Sequence, residues 1–172
     1  MLFRSVKIAE ELSQIVSKLP VKKLNLLTKA FTHFFGLINL AEKVEDLLAQ
    51  ARANLPRRPS PAEAFKAQAK GALLIDIRGD DQRRADGLIP GAIVVPRNVL
   101  EWRCDPASPW RHAAIRRRDQ VIVLVCDEGF QSSLAAATLQ RLGLRNATDI
   151  DGGFAAWRQA GLPVIPASVV PS

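Results

Sequence analysis

The apolar positions change period once along the chain. Ile8, Leu12, Ile15, Val16 and Leu19 recur at helical spacing, and Pro20 ends that run. Leu27, Ala30, Phe31, Phe34, Phe35, Ile38, Ala41, Val44 and Leu48 then make a broad apolar face on a second, longer helix. A face of this kind has to be covered, by the first helix, by the following domain, by a second copy of the chain or by a membrane surface. Ordinary packing is the first expectation, because burial of such a face is what usually stabilises a helix. From residue 72 onward the pattern is different. Ala72-Leu73-Leu74-Ile75-Asp76-Ile77, Ala92-Ile93-Val94-Val95 and Val121-Ile122-Val123-Leu124-Val125 are short aliphatic runs rich in β-branched residues, as expected of strands buried on both faces. Helical stretches over 80–85, 97–103, 132–142 and 153–160 alternate with them, and Ala147-Thr148-Asp149-Ile150 supplies a weaker last strand. The alternation predicts an α/β fold, a mostly parallel central sheet flanked by helices, preceded by an α-helical N-terminal extension.

The two regimes meet at Leu55-Pro56-Arg57-Arg58-Pro59-Ser60-Pro61, where three prolines oppose helix continuation. This basic stretch reads as a linker over 55–61, between a two-helix extension over 1–54 and a domain over 62–172. Ser60, Pro61 and Glu63 supply an N-cap, a proline at the first helical position and the far side of a capping box, so a short helix is expected through Lys70.

Composition narrows the function classes. With 48% hydrophobic and 24% charged residues, the 172-residue chain is an ordinary globular protein, which excludes wholesale disorder. Two cysteines cannot make a disulfide scaffold, and His33, Cys104, His112 and Cys126 lie too far apart to pair as metal ligands, so neither metal nor cofactor is implied. The net charge of +7 raises the question of nucleic acid, yet residues 1–60 hold 10 of the 24 basic and only 5 of the 17 acidic groups. The excess therefore belongs mainly to the extension and linker. Arg116-Arg117-Arg118 reads as a solvated turn before a strand, with no interleaved aromatics, and no nucleic-acid partner is expected. Lys29, His33, Glu42 and Lys43 interrupt the richest apolar stretch, and Lys7, Glu10 and Glu11 occupy the place of a signal-peptide core. A cytoplasmic protein without membrane-surface contact is the expectation.

The chemistry concentrates at Cys126. Val121–Val125 runs directly into Cys126-Asp127-Glu128-Gly129-Phe130-Gln131-Ser132-Ser133 and then an alanine-rich helix. The carboxyl end of a central strand, turning into a helix N-terminus, is where open α/β sheets place their ligand crevice. Free N–H groups of the first helical turn favour an anion there, which for cysteine is the thiolate, and Gly129 allows the loop to curl its amides inward. The alternative is a buried structural cysteine. A cysteine hydrolase would need a histidine base, and downstream of residue 33 only His112 is available. A phosphatase-type loop would need Arg at position 132 to grip phosphoryl oxygens, where the chain has Ser132. A thioredoxin-type pair would need a second cysteine at Gly129. What remains is a thiolate in an amide cradle, suited to carrying sulfur as a persulfide.

Three separated motifs resemble the single-domain rhodanese family over about residues 61–166. Leu74-Ile75-Asp76-Ile77-Arg78 with Ile89-Pro90-Gly91-Ala92-Ile93 resembles its N-terminal signature, and the Cys126 loop resembles its active-site loop. Asp151-Gly152-Gly153-Phe154-Ala155-Ala156-Trp157 with Ala160-Gly161-Leu162-Pro163-Val164 resembles its C-terminal signature. The resemblance implies a rhodanese-type sulfurtransferase in which Cys126 takes the outer sulfur of a thiol persulfide, or of thiosulfate, and passes it to a nucleophilic acceptor. It also implies that Asp127, Glu128, Gly129, Phe130, Gln131 and Ser132 form the substrate loop. The six residues from Cys126 through Gln131 have the length that this family associates with sulfur transfer. Asp76 and Arg78 would brace sheet and loop, or else form an exposed strand-end ion pair. Ser132 is expected as the N-cap of the next helix and Trp157 as core. Cys104 is either a resolving thiol for Cys126 or an incidental one. Two departures stand out: many active members carry Arg where this chain has Gln131, and Asp127 and Glu128 place negative charge where thiosulfate-using members carry basic residues. The rival reading is a non-catalytic rhodanese-like binding module whose helical extension docks a protein partner or a second copy. Separately, the stretch from Ala30 to Glu42 weakly resembles a helix near the start of phosphoenolpyruvate carboxylases, without that family's catalytic histidine motif, which implies a helix and no carboxylase activity.

Overall fold

The structure, a computed structural model, describes residues Lys43–Pro166. Of the two-helix extension expected over 1–54, residues 1–42, with most of the apolar face and His33, lie outside the described residues; its last apolar positions, Val44 and Leu48, fall on a helix that starts at Val44 behind the extended N-cap Lys43. Helix α1 spans Val44–Asn54, with Glu45 and Asp46 in its first turn and Arg52 in its last, the arrangement favoured by the helix dipole. It packs along the later helix α5 (Gln131–Arg141) and buries Ala51. The compact unit accordingly begins at Lys43, not after the proline-rich stretch.

That stretch leads into α2 (Pro61–Ala69), where Ser60 and Glu63 form the expected capping box with Pro61 in the first turn. The Ser60 interactions, backbone first, hold the Glu63 carboxyl below its usual range. Strand β1 (Leu73–Asp76) follows, then α3 (Asp80–Asp86), β2 (Ile93–Val94), a 3-10 turn over Arg97–Val99 and α4 (Leu100–Cys104). Strand β3 (Ile122–Val125), α5, β4 (Ala147–Asp149) and α6 (Gly153–Gln159) complete the order. From Pro61 onward the predicted elements are present within a few residues of their expected bounds.

The sheet is parallel throughout, in the order β2-β1-β3-β4. Its strands alternate between two apolar layers, as the two-residue period of a strand requires. Leu74, Val123 and Val125 face Ala64, Phe154 and Trp157 on one side. Ile75, Ile122 and Leu124 face Leu100, Ile115, Ala136 and Leu139 on the other. Trp157 is core, as expected, with its indole N–H donated to the Pro163 carbonyl at 3.0 Å. The chain leaves β1 for one edge of the sheet and returns to β3 on the opposite side. The crevice between the carboxyl ends of β1 and β3 is therefore the topological switch point. Cys126 immediately follows β3 there.

Candidate active site

Cys126 is almost completely buried and faces three hydrogen-bonding groups of its own loop. The Gly129 N–H lies 3.2 Å from its sulfur, the Ser132 N–H 3.3 Å and the Ser132 hydroxyl 3.2 Å. The loop thus turns its amides inward, as expected of an anion nest. Its carbonyls point the other way, onto the N-terminus of α6. The Phe154 N–H donates to the Cys126 carbonyl at 2.8 Å and the Ala155 N–H to that of Asp127 at 2.9 Å. Gly153 makes this seating possible. It has a φ of +62°, and a Cβ there would lie 2.5 Å from the Asp127 oxygen and 2.6 Å from the Gly129 nitrogen. No side chain fits between loop and helix.

Ser132 departs from its expected role. Phe130 occupies the N-cap position of α5, and the Ser132 side chain caps nothing; its hydroxyl bridges the Cys126 sulfur to Asp149 Oδ2, 2.9 Å away. The backbone curls tightly enough at Gly129 to start the helix a residue earlier than expected. Asp149, at the end of β4, is fully buried. Its Oδ2 also takes the Ser133 hydroxyl at 2.9 Å, and both its oxygens are held by Arg58, with Nε at 2.8 Å from Oδ1 and Nη2 at 3.1 Å from Oδ2. Arg58 donates further to Asp151 at 2.7 Å and to the Gly129 carbonyl at 3.3 Å. Burial works against its charge, but these carboxylates outweigh it and raise its pKa. From α1, Arg52 donates to the same Gly129 carbonyl at 3.0 Å and to the Ser133 hydroxyl at 3.2 Å, with its guanidinium 5.7 Å from the Phe130 ring centre.

Arg52, Arg58, Ser133 and Asp149 were not legible as site residues. Asp149 did carry a signal: it is a carboxylate at the carboxyl end of a buried parallel strand, the same address as Asp76 and Cys126. Arg58 carried none, since an arginine between prolines reads as a linker.

Asp76 and Arg78 form a buried pair, with Nη2 2.7 Å from Oδ2, not an exposed strand-end bridge. Arg78 also donates to the Gly87 carbonyl at 2.9 Å and lies 3.4 Å over the Phe154 ring. Phe154 in turn donates its N–H to the Cys126 carbonyl, so one residue separates this pair from the loop.

The sulfur opens onto a cleft of about 310 Å³ lined by Gln82, Asp127, Glu128, Phe130 and Gln131. Glu128, Phe130 and Gln131 are exposed and Asp127 half-buried. Gln82 and Gln131 also border a neighbouring hollow that reaches Arg97 and Asn98. Among the described residues, no group of three or more His, Cys, Asp or Glu side chains is placed to hold a metal ion, and no helix is long and apolar enough to cross a membrane. His112 Nδ1 accepts the Ala114 N–H, a local turn contact. Cys104 is a free, fully buried thiol in the apolar layer beside α5; burial, with Glu101 adding to it and Arg103 opposing, pushes it up to about 12. Arg118 is engaged with the Leu142 carbonyl and Asp105, and Arg117 with Asp119, so two of the three arginines of this basic run are paired.

The chain is similar to several known proteins. Thiosulfate sulfurtransferase GlpE of Pseudomonas entomophila is 37% identical over 102 residues, which cover 59% of this chain and 84% of the relative. A solved protein from Rhodopseudomonas palustris, described as of unknown function and a possible tyrosine phosphatase, is 33% identical with a TM-score of 0.67, over 74% of this chain and 97% of that one. A phosphoenolpyruvate carboxylase of Thermus is 54% identical over 65 residues, a longer stretch than the helix quoted above, covering 36% of this chain and 8% of that enzyme. The model of the rhodanese-like domain matches residues 60–160, and with its parallel sheet, its cysteine loop and sulfurtransferase relatives, the chain belongs to the rhodanese-like family.

Proposed function

We propose that Cys126 carries sulfane sulfur as a persulfide between a small thiol persulfide and a nucleophilic acceptor. The observation that carries this reading is the convergence of the Gly129 and Ser132 N–H groups on one sulfur at the mouth of a cleft. Donors so placed stabilise a thiolate before the reaction and again when it leaves. In the first half, the Cys126 thiolate attacks the outer sulfur of a donor R–S–SH. The S–S bond breaks, its electron pair leaves on the inner sulfur as RS⁻, and Cys126 holds S–SH. In the second half, an anionic acceptor attacks that outer sulfur, takes it with its proton, and returns Cys126 to the thiolate. No separate base is required in either half.

Phosphatase chemistry fits less well. Position 132 holds a serine where a bidentate clamp would be needed, and Asp127 and Glu128 put negative charge on the cleft side of the loop. The same acidic pair disfavours dianionic thiosulfate against a singly charged or zwitterionic persulfide. A non-catalytic binding role leaves the two N–H donors on the sulfur without a purpose. Intact mass after incubation with a persulfide donor tests the proposal: wild type gains one cyanide-labile sulfur atom and Cys126→Ala gains none. A wild-type protein that takes up no labile sulfur overturns it.

A further inference from the structure

Arg52 and Arg58 precede the residues that the family model matches, yet both reach the Cys126 loop. Asp149 explains why a cation is needed there. It is a fully buried carboxylate separated from the Cys126 sulfur by a single hydroxyl, that of Ser132. Unpaired, its charge would oppose a second negative charge on the sulfur. Arg58 covers both Asp149 oxygens and ties them to Gly129, whose N–H faces the sulfur. The other charged groups around the loop are differently engaged. Asp127 and Glu128 stand on the loop itself, on the cleft side. Asp151, after β4, is exposed and shares Arg58. Asp76 and Arg78 on β1 close on each other, as do Asp80 and Arg83 of α3 and Arg97 and Glu101 beside α4. Arg52 on α1 reaches the loop backbone and Ser133, and Arg58 alone among the described cations meets the Asp149 carboxylate.

We propose that Arg58, supplied by the segment ahead of the family domain, is a positioning residue for Cys126: by pairing with buried Asp149 it offsets the negative charge that stands one hydroxyl away from the sulfur and so favours the nucleophilic thiolate. Arg52 secures the same loop from α1. The inference rests on Cys126 as the site's nucleophile, but it does not require that the group transferred be sulfur.

The test is the pH profile of Cys126 alkylation by iodoacetamide in the full chain, read by peptide mass so that Cys104 is counted separately, with thermal unfolding of each variant alongside. Arg58→Gln is expected to move the midpoint upward by about one pH unit, which slows alkylation near neutrality about tenfold. Arg58→Lys retains most of the wild-type profile. Asp149→Asn moves the midpoint downward, and the double variant Arg58→Gln/Asp149→Asn returns it close to wild type, which a purely structural role for the pair would not do. A folded Arg58→Gln protein with an unshifted midpoint overturns the inference. If that variant does not fold, an Asp149→Asn midpoint at or above wild type overturns it instead. Sulfur uptake measured on the same samples separates the two readings. Wild type that takes no sulfur while the midpoints shift refutes sulfur transfer alone; normal uptake with unshifted midpoints refutes the role of Arg58 alone.

Discussion

At Asp149 a buried carboxylate accepts two serine hydroxyls and a two-point guanidinium contact, and its geometry decides where the Ser132 hydroxyl stands relative to the sulfur. Breaking such a pair from one side strands a buried charge, which typically costs about 3–5 kcal/mol. Asp127 and Glu128 act at longer range. They lie beside the cleft and repel a dianion, so wild-type thiosulfate:cyanide turnover is expected to be low, and Asp127→Lys or Glu128→Lys to raise it by about threefold to tenfold, falling off with added salt. Unchanged or lower turnover in both variants would remove the electrostatic account. Cys104 makes a separate prediction about stability. Its thiol is raised from 9.0 to about 12 by burial, so the folded state keeps a proton that the unfolded chain releases. Its contribution is complete below pH 9.0 and is lost as the pH rises towards about 12. Urea unfolding across that window should show a shallower alkaline loss in Cys104→Ala than in wild type.

Among the elements, α6 has the most direct hold on the chemistry, because its first N–H groups fix the carbonyls of Cys126 and Asp127. That seating is what turns the opposite edge of the loop, with its amides, towards the sulfur. Gly153→Ala would drive a methyl group into three backbone atoms of the loop and hold a non-glycine residue at a φ of +62°. The left-handed conformation alone costs roughly 1–2 kcal/mol, and the overlap adds to it. Destabilisation by more than about 3 kcal/mol in urea is expected, or else a folded protein whose Cys126 alkylates at least about tenfold more slowly. A folded variant with wild-type reactivity would show that the loop is not seated on α6. Helix α2 offers a milder case. Ser60→Ala removes one side of its capping box and should cost about 1 kcal/mol, measured as a shift of the urea midpoint with an unchanged slope.

At the scale of the molecule, the sheet order puts Cys126 at the switch point, and the chain ahead of the family domain brings Arg52 and Arg58 onto its loop. Helix α1 belongs to the same compact unit as the sheet, and the residues after it deliver Arg58. A chain that starts at Lys43 should therefore unfold cooperatively and keep the alkylation profile of Cys126. One that starts at Ser60 lacks Arg52, Arg58 and the cover on α5, and should lose several degrees of thermal stability as well as Cys126 reactivity. Equal stability and reactivity of the two would return the functional boundary to the proline-rich stretch.

The amino-acid order alone determined the α/β alternation, the capping of α2 and the cysteine loop, because each depends on neighbours within a few residues: strand period, turn residues and the helix start after Cys126. It also located Asp76 and Arg78, which lie two positions apart. Their burial was open, since a strand end can lie at the surface or under a helix, and only the packing of Phe154 over Arg78 decided it. The tertiary structure alone brought Arg58 to Asp149, 91 positions away, and turned the Ser132 hydroxyl from a helix cap into a bridge. Contacts of that separation leave no periodic trace. An arginine among prolines has the same local pattern whether it is solvated or clasps a buried carboxylate, and the difference lies in what the fold places opposite it.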